Sequence, residues 1–130
     1  MRSLIGIVAF SLSLVSAIFG QNGPTLPTVT SFECPKYPPT AKSARVPGMV
    51  QLQVTTDGHG VADVKVKSGQ PLLVPAASQN VRTWRFADHP PTTFDVTYIY
   101  SFQGEFKRDP VTKCSAKMEL PTKVTVSTNP

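Results

Sequence analysis

Apolar and polar positions alternate in two runs within residues 48–67, with a turn signal between them. In Met49-Val50-Gln51-Leu52-Gln53-Val54-Thr55, the residues Val50, Leu52 and Val54 share one face of a strand and Gln51, Gln53 and Thr55 share the other. Thr56-Asp57-Gly58-His59-Gly60 comes next, where Asp-Gly and a second glycine supply the positive-φ positions of a hairpin turn. The return run over 61–67 is predicted to set Ala62, Val64 and Val66 on the apolar face, with Asp63, Lys65 and Lys67 opposite. A lone hairpin is marginal in water, so other parts of the chain must cover that face.

The flanking pattern supplies candidates. Pro39 fits the first turn of a short helix through Thr40-Ala41-Lys42-Ser43-Ala44, which Pro47-Gly48 would end. Leu73, Ala76, Ala77, Val81 and Trp84 recur at helical spacing, predicting an amphipathic helix from 73 or 75 to 84 that lies over the hairpin. Trp84 completes that stripe, which makes it a core aromatic. Residues 94–102 alternate strongly, with Phe94, Val96, Tyr98, Tyr100 and Phe102 on one face, and predict a third strand. Residues 118–126 alternate again. Pro121 cannot donate to a ladder, so this segment is predicted to be split or to lie on an edge. The Gly, Pro, Thr and Asn content of 21–32 predicts an unstructured leader.

With 130 residues the chain allows one modest domain. Arg2, the uncharged run 4–19 and the small residues Val15, Ala17 and Gly20 describe a secretory signal over 1–20. The apolar run is roughly sixteen residues, short of the about twenty that a spanning helix needs; a retained membrane anchor is the competing reading. Export gives the two cysteines a meaning: Cys34 and Cys114 flank the organised region and would form one disulfide, against the alternative of two buried thiols. Two cysteines and two histidines without paired short spacing make no closed zinc site. The formal charge of +5 is scattered among acids and forms neither the stripe nor the aromatic-interleaved patch that nucleic-acid binding calls for. His59 and His89 sit in loop sequences without a nucleophile or base constellation, and no glycine-rich phosphate loop precedes a helix. The residues therefore point away from an enzyme, a cofactor, a metal and a small-molecule substrate.

Tyr37-Pro38 with Ala41, Gly48-Met49-Val50, Asp57-Gly58 with Val61, Ala76-Ala77, Trp84-Arg85-Phe86 and the aromatic strand ending at Phe102 occur in an order and spacing that resemble the C-terminal domain of TonB, the bacterial energy transducer. The resemblance covers residues 35–102. It implies an α+β fold in the order αββαβ, a small antiparallel sheet with two helices on one face, to which this chain adds an extra C-terminal strand. It also implies a periplasmic domain that binds the TonB box, a short peptide of outer-membrane TonB-dependent transporters, by strand addition along the edge of the last strand. Here that edge is Phe94, Asp95, Val96, Thr97, Tyr98, Ile99, Tyr100, Ser101 and Phe102. Such an edge offers unpaired N–H and C=O groups, so main-chain pairing supplies affinity with little demand on side chains.

Two features depart from a working transducer. No histidine precedes His59 to serve a proton-coupled anchor. A leader of roughly a dozen residues, at about 3.1 Å each when extended, reaches only about 40 Å. The organisation expected is a signal over 1–20, a flexible leader over 21–33, the TonB-like domain over 34–106 and an extension over 107–130 with an edge strand. The partner expected is a transporter or other envelope protein in the periplasm. The competing function is an envelope scaffold that self-associates into a homo-oligomer and has no transporter partner.

Overall fold

The computed structural model describes residues 26–102, 114 and 116–128. The signal reading of 1–20 and the start of the leader lie outside these residues. In chain order the elements are β1 (Val29–Ser31), α1 (Pro39–Ser43), β2 (Gly48–Thr56), β3 (Val61–Gly69), α2 (Val74–Val81), β4 (Arg85–Phe86), β5 (Thr93–Phe102), β6 (Ala116–Glu119) and β7 (Lys123–Thr128). Five strands form one sheet in the order β3-β2-β5-β7-β6. In this order β3 and β5 each pair antiparallel with β2, whereas β7 joins β5 parallel and β6 folds back antiparallel on β7. The α+β reading therefore holds, and the extra strand is a hairpin.

Period-two alternation becomes a core because every second residue, those on one face, is sealed from water. Val50, Leu52 and Val54 of β2, Val96 and Tyr98 of β5 and Val124 of β7 are fully buried, and Tyr100 and Val126 nearly so. Both helices lie on this inner face. Asn80 of α2 bonds Tyr98, and Tyr37, just before α1, packs edge-on against Tyr100 with ring centroids 5.5 Å apart. Gly69 lets α2 approach, since a Cβ there would stand 3.0 Å from a Val74 methyl. Helix α2 ends at Val81, short of Trp84. Thr83 stops it by donating both its hydroxyl and its N–H to the Asn80 carbonyl. Trp84 is fully buried from the turn after the helix, as a core aromatic should be.

Helix α1 ends earlier than Pro47-Gly48 would require. Arg45 takes a left-handed φ of 56° while Val46 N–H reaches the Ala41 carbonyl and Arg45 N–H the Lys42 carbonyl, the paired bonds of a Schellman closure.

Two further expectations are corrected. Alternation over 61–67 breaks at two register shifts, one opposite the Thr55/Thr56 step and one opposite Gln51/Leu52. The first shift takes Ala62 out of the ladder and leaves it exposed, whereas Val64 and Val66 keep the inner face opposite Val54 and Leu52 but, on the outermost strand, are only half-buried and 45% exposed. The leader is also not unstructured where it is described. Strand β1 pairs with β4 through Val29–Phe86 and Ser31–Arg85, and the Glu33 carbonyl accepts a bond from the Asn80 side chain at 2.8 Å.

Candidate peptide-binding edge

Strand β5 lies at the centre of the sheet, and its two faces divide as alternation dictates. Phe94, Val96, Tyr98 and Tyr100 point into the core and Phe102 is half-buried; Asp95, Thr97, Ile99 and Ser101 belong to the outer face. On that outer face Asp95 Oδ2 accepts from Lys67 Nζ at 2.9 Å, an exposed pair of small energetic weight. One long side of β5 pairs with β2 from Thr93 to Tyr100. The other side carries the predicted docking edge.

The C-terminal strand covers most of that second side. Residues 97–102 pair in parallel with 123–128, in the register Thr97–Lys123, Tyr98–Val124, Ile99–Thr125, Tyr100–Val126, Ser101–Ser127 and Phe102–Thr128. Thr97 N–H donates to the Thr122 carbonyl at 2.8 Å at the start of the ladder. This covering has a physical cause. Val124 and Val126 continue the apolar inner face past Tyr98 and Tyr100, so docking β7 buries both valines and satisfies the β5 rim in one step. Pro121 divides the tail as its missing N–H requires: a cis Leu120–Pro121 bond sits between β6 and β7. Phe94, Asp95 and Val96 have no β7 partner, so among the described residues the uncovered part of this side is its first few residues.

The hairpin is tied down at its start as well. Cys114 bonds Cys34 across 80 positions of sequence, with Cα atoms 5.3 Å apart, so the tail is stapled to the segment that enters α1. Beneath β7 the two tyrosines stack with centroids 6.2 Å apart. Burial raises both phenols above their usual range, and each is raised further by a neighbouring phenol, Tyr100 for Tyr98 and Tyr37 for Tyr100. Tyr98 donates to Asn80 Oδ1 at 2.7 Å, whereas the Tyr100 hydroxyl has no hydrogen-bond partner among the described residues. Asn80 is thereby a buried polar hub joining leader, α2 and β5. The sequence offered no sign of it beyond an amide at the inner edge of a helical stripe.

The histidines are brought to the far end of the sheet. Asp57 Oδ1 accepts the His59 and Gly60 amides at 2.9 Å each, closing the β2–β3 turn, and Gly58 takes φ 104°. Of the two glycines expected at positive φ, only Gly58 adopts it among the described residues. Those two backbone bonds, Gly60 first, hold the Asp57 carboxyl below its ordinary value. His59 Nδ1 meets exposed Asp88 Oδ1 at 2.7 Å. His89 Nδ1 donates to the Ala87 carbonyl at 2.8 Å, and Nε2 shares a hydrogen bond with the Thr56 hydroxyl at 2.7 Å. A hydroxyl bonded to an imidazole is the start of a nucleophile site, but Thr56 is 1% exposed and no substrate carbonyl has a path to it. The pair clamps the loop after β4 to the end of β2. An open groove of about 710 Å³, lined by Tyr37, Pro38, Pro39, Pro75 and Gln79 among others, lies between the α1 entry and α2, apart from the edge.

A helix-covered hairpin followed by an aromatic strand is what the resemblance anticipates, and a family model decides the matter. The model of the Gram-negative bacterial TonB protein C-terminal matches residues 33–107, more than half of the chain. The chain belongs to the TonB C-terminal family. No curated protein matches it. The TonB family is one of Gram-negative envelope proteins that serve transport as energy transducers and are not enzymes. No helix among the described residues is long and apolar enough to cross a membrane. The family match ends at 107, so the β6–β7 hairpin that covers the edge lies beyond the TonB region.

Proposed function

We propose that the chain is a periplasmic TonB-like binding module whose docking edge on β5 is held closed by its own C-terminal hairpin. It opens to an extended, TonB-box-like segment of an outer-membrane transporter when the hairpin leaves. The observation that carries this reading is the parallel ladder between 97–102 and 123–128: this rim accepts an added strand, supplied here by a distant part of the same chain. A competing peptide must replace what β7 contributes. Burying two valines is worth about 3–6 kcal/mol, so a productive segment carries β-branched or other apolar residues two positions apart, facing Tyr98 and Tyr100.

Peptide titration of three forms tests the proposal. An Ile99→Cys/Thr125→Cys pair, joined as a disulfide, locks β7 on β5, since these residues are direct partners. A chain ending after Phe106 removes the hairpin. Affinity is expected to rise from locked to natural to truncated chain, and equal affinity in all three would sink the proposal. A second reading, a permanently closed scaffold with no transporter partner, is favoured by the full burial of Val124 and the disulfide at Cys114. Absence of binding in every form, with all three folded, selects it.

A further inference from the structure

The bond that staples the C-terminal hairpin is unequal at its two ends. Cys34 is exposed and lines the open groove between the α1 entry and α2, whereas Cys114 is 2% exposed. A thiol arriving from outside has a path to Cys34 Sγ and none to Cys114, and access decides which sulfur is attacked. The two ends also differ in what else holds them. Around Cys34 the chain is fixed without the bond: Glu33 N–H donates to Thr83 Oγ1 at 3.1 Å, the Glu33 carbonyl accepts from Asn80 Nδ2 at 2.8 Å, and the Tyr37 hydroxyl donates to the Val46 carbonyl at 2.6 Å. Cys114 leads directly into β6, and among the described residues β6 pairs only with β7. Breaking the bond therefore frees the hairpin and leaves Cys34 where it stands.

We infer that the Cys34–Cys114 disulfide is a redox latch, opened by thiol attack at Cys34, which releases β6 and β7 and uncovers the β5 rim at 97–102. What the open rim receives rests on the docking reading above. The reagent that fits is a protein dithiol, for which the groove beside Cys34 leaves room. One thiolate of the dithiol attacks Cys34 Sγ; the S–S bond breaks, its electron pair passes to Cys114 Sγ, which takes a proton from water, and the reductant is joined to Cys34. The second thiolate then attacks the reductant's own sulfur in that mixed disulfide, and Cys34 leaves and takes up a proton. The reductant departs as a disulfide and the chain holds two thiols. While the hairpin stays in place, Cys114, its Cα 5.3 Å from that of Cys34, recloses the bond, so reduction is completed by the hairpin's departure.

Dithiothreitol and glutathione, added to the intact folded chain, test the latch. Reduction by dithiothreitol is expected to run in proportion to its concentration and to be unmoved by low denaturant. Glutathione, quenched early with acid, is expected to leave its mixed disulfide on Cys34 in a peptide map. In the reduced chain the β7 amides are expected to exchange about tenfold faster or more, with those of β2 still protected, and affinity for an extended apolar peptide is expected to rise and to fall back on reoxidation. Reduction that ignores reagent concentration and speeds with denaturant, an adduct on Cys114, or β7 amides that stay as protected as in the oxidised chain or lose protection only together with β2 would each overturn the latch. Faster exchange at β7 without any peptide affinity upholds the latch and sinks the docking reading.

Discussion

Strand β5 lies between two hairpins that solve the same problem in opposite ways. On one side β2 and β3 are joined by a five-residue turn signal, and β2 meets β5 antiparallel along Thr93 to Tyr100. On the other side β7 and β6 arrive from beyond position 113, meet β5 parallel, and are stapled at Cys114 to the opposite end of the sequence. The first hairpin is specified locally and leaves its outer strand exposed. The second is specified by a crosslink and by two valines that find a ready apolar face. One is part of the family fold, and the other covers the edge that fold would use.

Cutting the staple should therefore have the largest effect, and a lopsided one. Cys34→Ser/Cys114→Ser removes a crosslink over about 80 residues, worth on the order of 4 kcal/mol in the chain-entropy picture. Denaturant unfolding is expected to show a lower midpoint. Native-state amide exchange is expected to show β6 and β7 opening before β2 and β5, because only the second hairpin depends on the bond. Uniform loss of protection across all five strands would mean that the two hairpins form one cooperative unit.

Core truncation on each side sharpens the same contrast. Leu52→Ala empties the centre of the first hairpin and is expected to cost about 3 kcal/mol. Val126→Ala, on the second, is expected to cost about 2 kcal/mol. The smaller change should do more to binding: by loosening β7 it is expected to raise affinity for an extended apolar peptide, while Leu52→Ala leaves affinity per folded molecule unchanged. Peptide titration beside thermal melting separates the two effects.

The stacked tyrosines under β7 give a finer comparison. Tyr98→Phe leaves the Asn80 side-chain Oδ1 without its donor and is expected to cost about 1–2 kcal/mol; Tyr100→Phe removes a hydroxyl that has no partner among the described residues and is expected to be neutral within about 0.5 kcal/mol. Both phenols are raised by burial, so the unfolded chain loses these protons first as the medium turns alkaline. The stabilising contribution is thus complete below about pH 10 and falls as pH rises above it, by at most about 1.4 kcal/mol per pH unit for each group. Alkaline unfolding should shift to higher pH in both phenylalanine variants. A shift in neither would remove the tyrosines from the account of the core.

Legibility in the sequence divides along the same line. Residues 49–55 and 94–102 were legible because alternation maps directly onto burial when one face is sealed from end to end. Residues 61–67 look equally regular, and the face holds for Val64 and Val66 but not for Ala62, since a bulge depends on the partner strand and leaves no mark in the strand's own pattern. Val29–Ser31 carries no periodic signal because its pairing with Arg85–Phe86 is made by backbone groups. The alternation of 118–126 showed that a strand existed and Pro121 showed that it broke. Nothing local told that the second half would run parallel to β5 and close its rim, for that order is decided by which apolar face is left uncovered.

The smallest expected effect lies in the turns. The first hairpin closes through a titrating group: the Asp57 carboxylate accepts the His59 and Gly60 amides, and these bonds hold its proton affinity below the ordinary carboxyl value. The second closes through a backbone bond from Thr122 N–H to the Glu119 carbonyl at 3.2 Å. For a depressed carboxyl the stabilisation is present above the unfolded value and is lost as pH falls through the folded one. Acid should thus loosen the β2–β3 turn first. Amide resonances of His59 and Gly60 are expected to titrate below the pH at which a free aspartate does, with the Thr122 amide unmoved, and Asp57→Asn should abolish the titration at both. Titration of those amides at the ordinary aspartate value would mean that the carboxylate closes the turn no more firmly than water would, and the first hairpin would then owe its closure to strand pairing and to the Asp57 N–H bond to the Gly60 carbonyl at 3.1 Å.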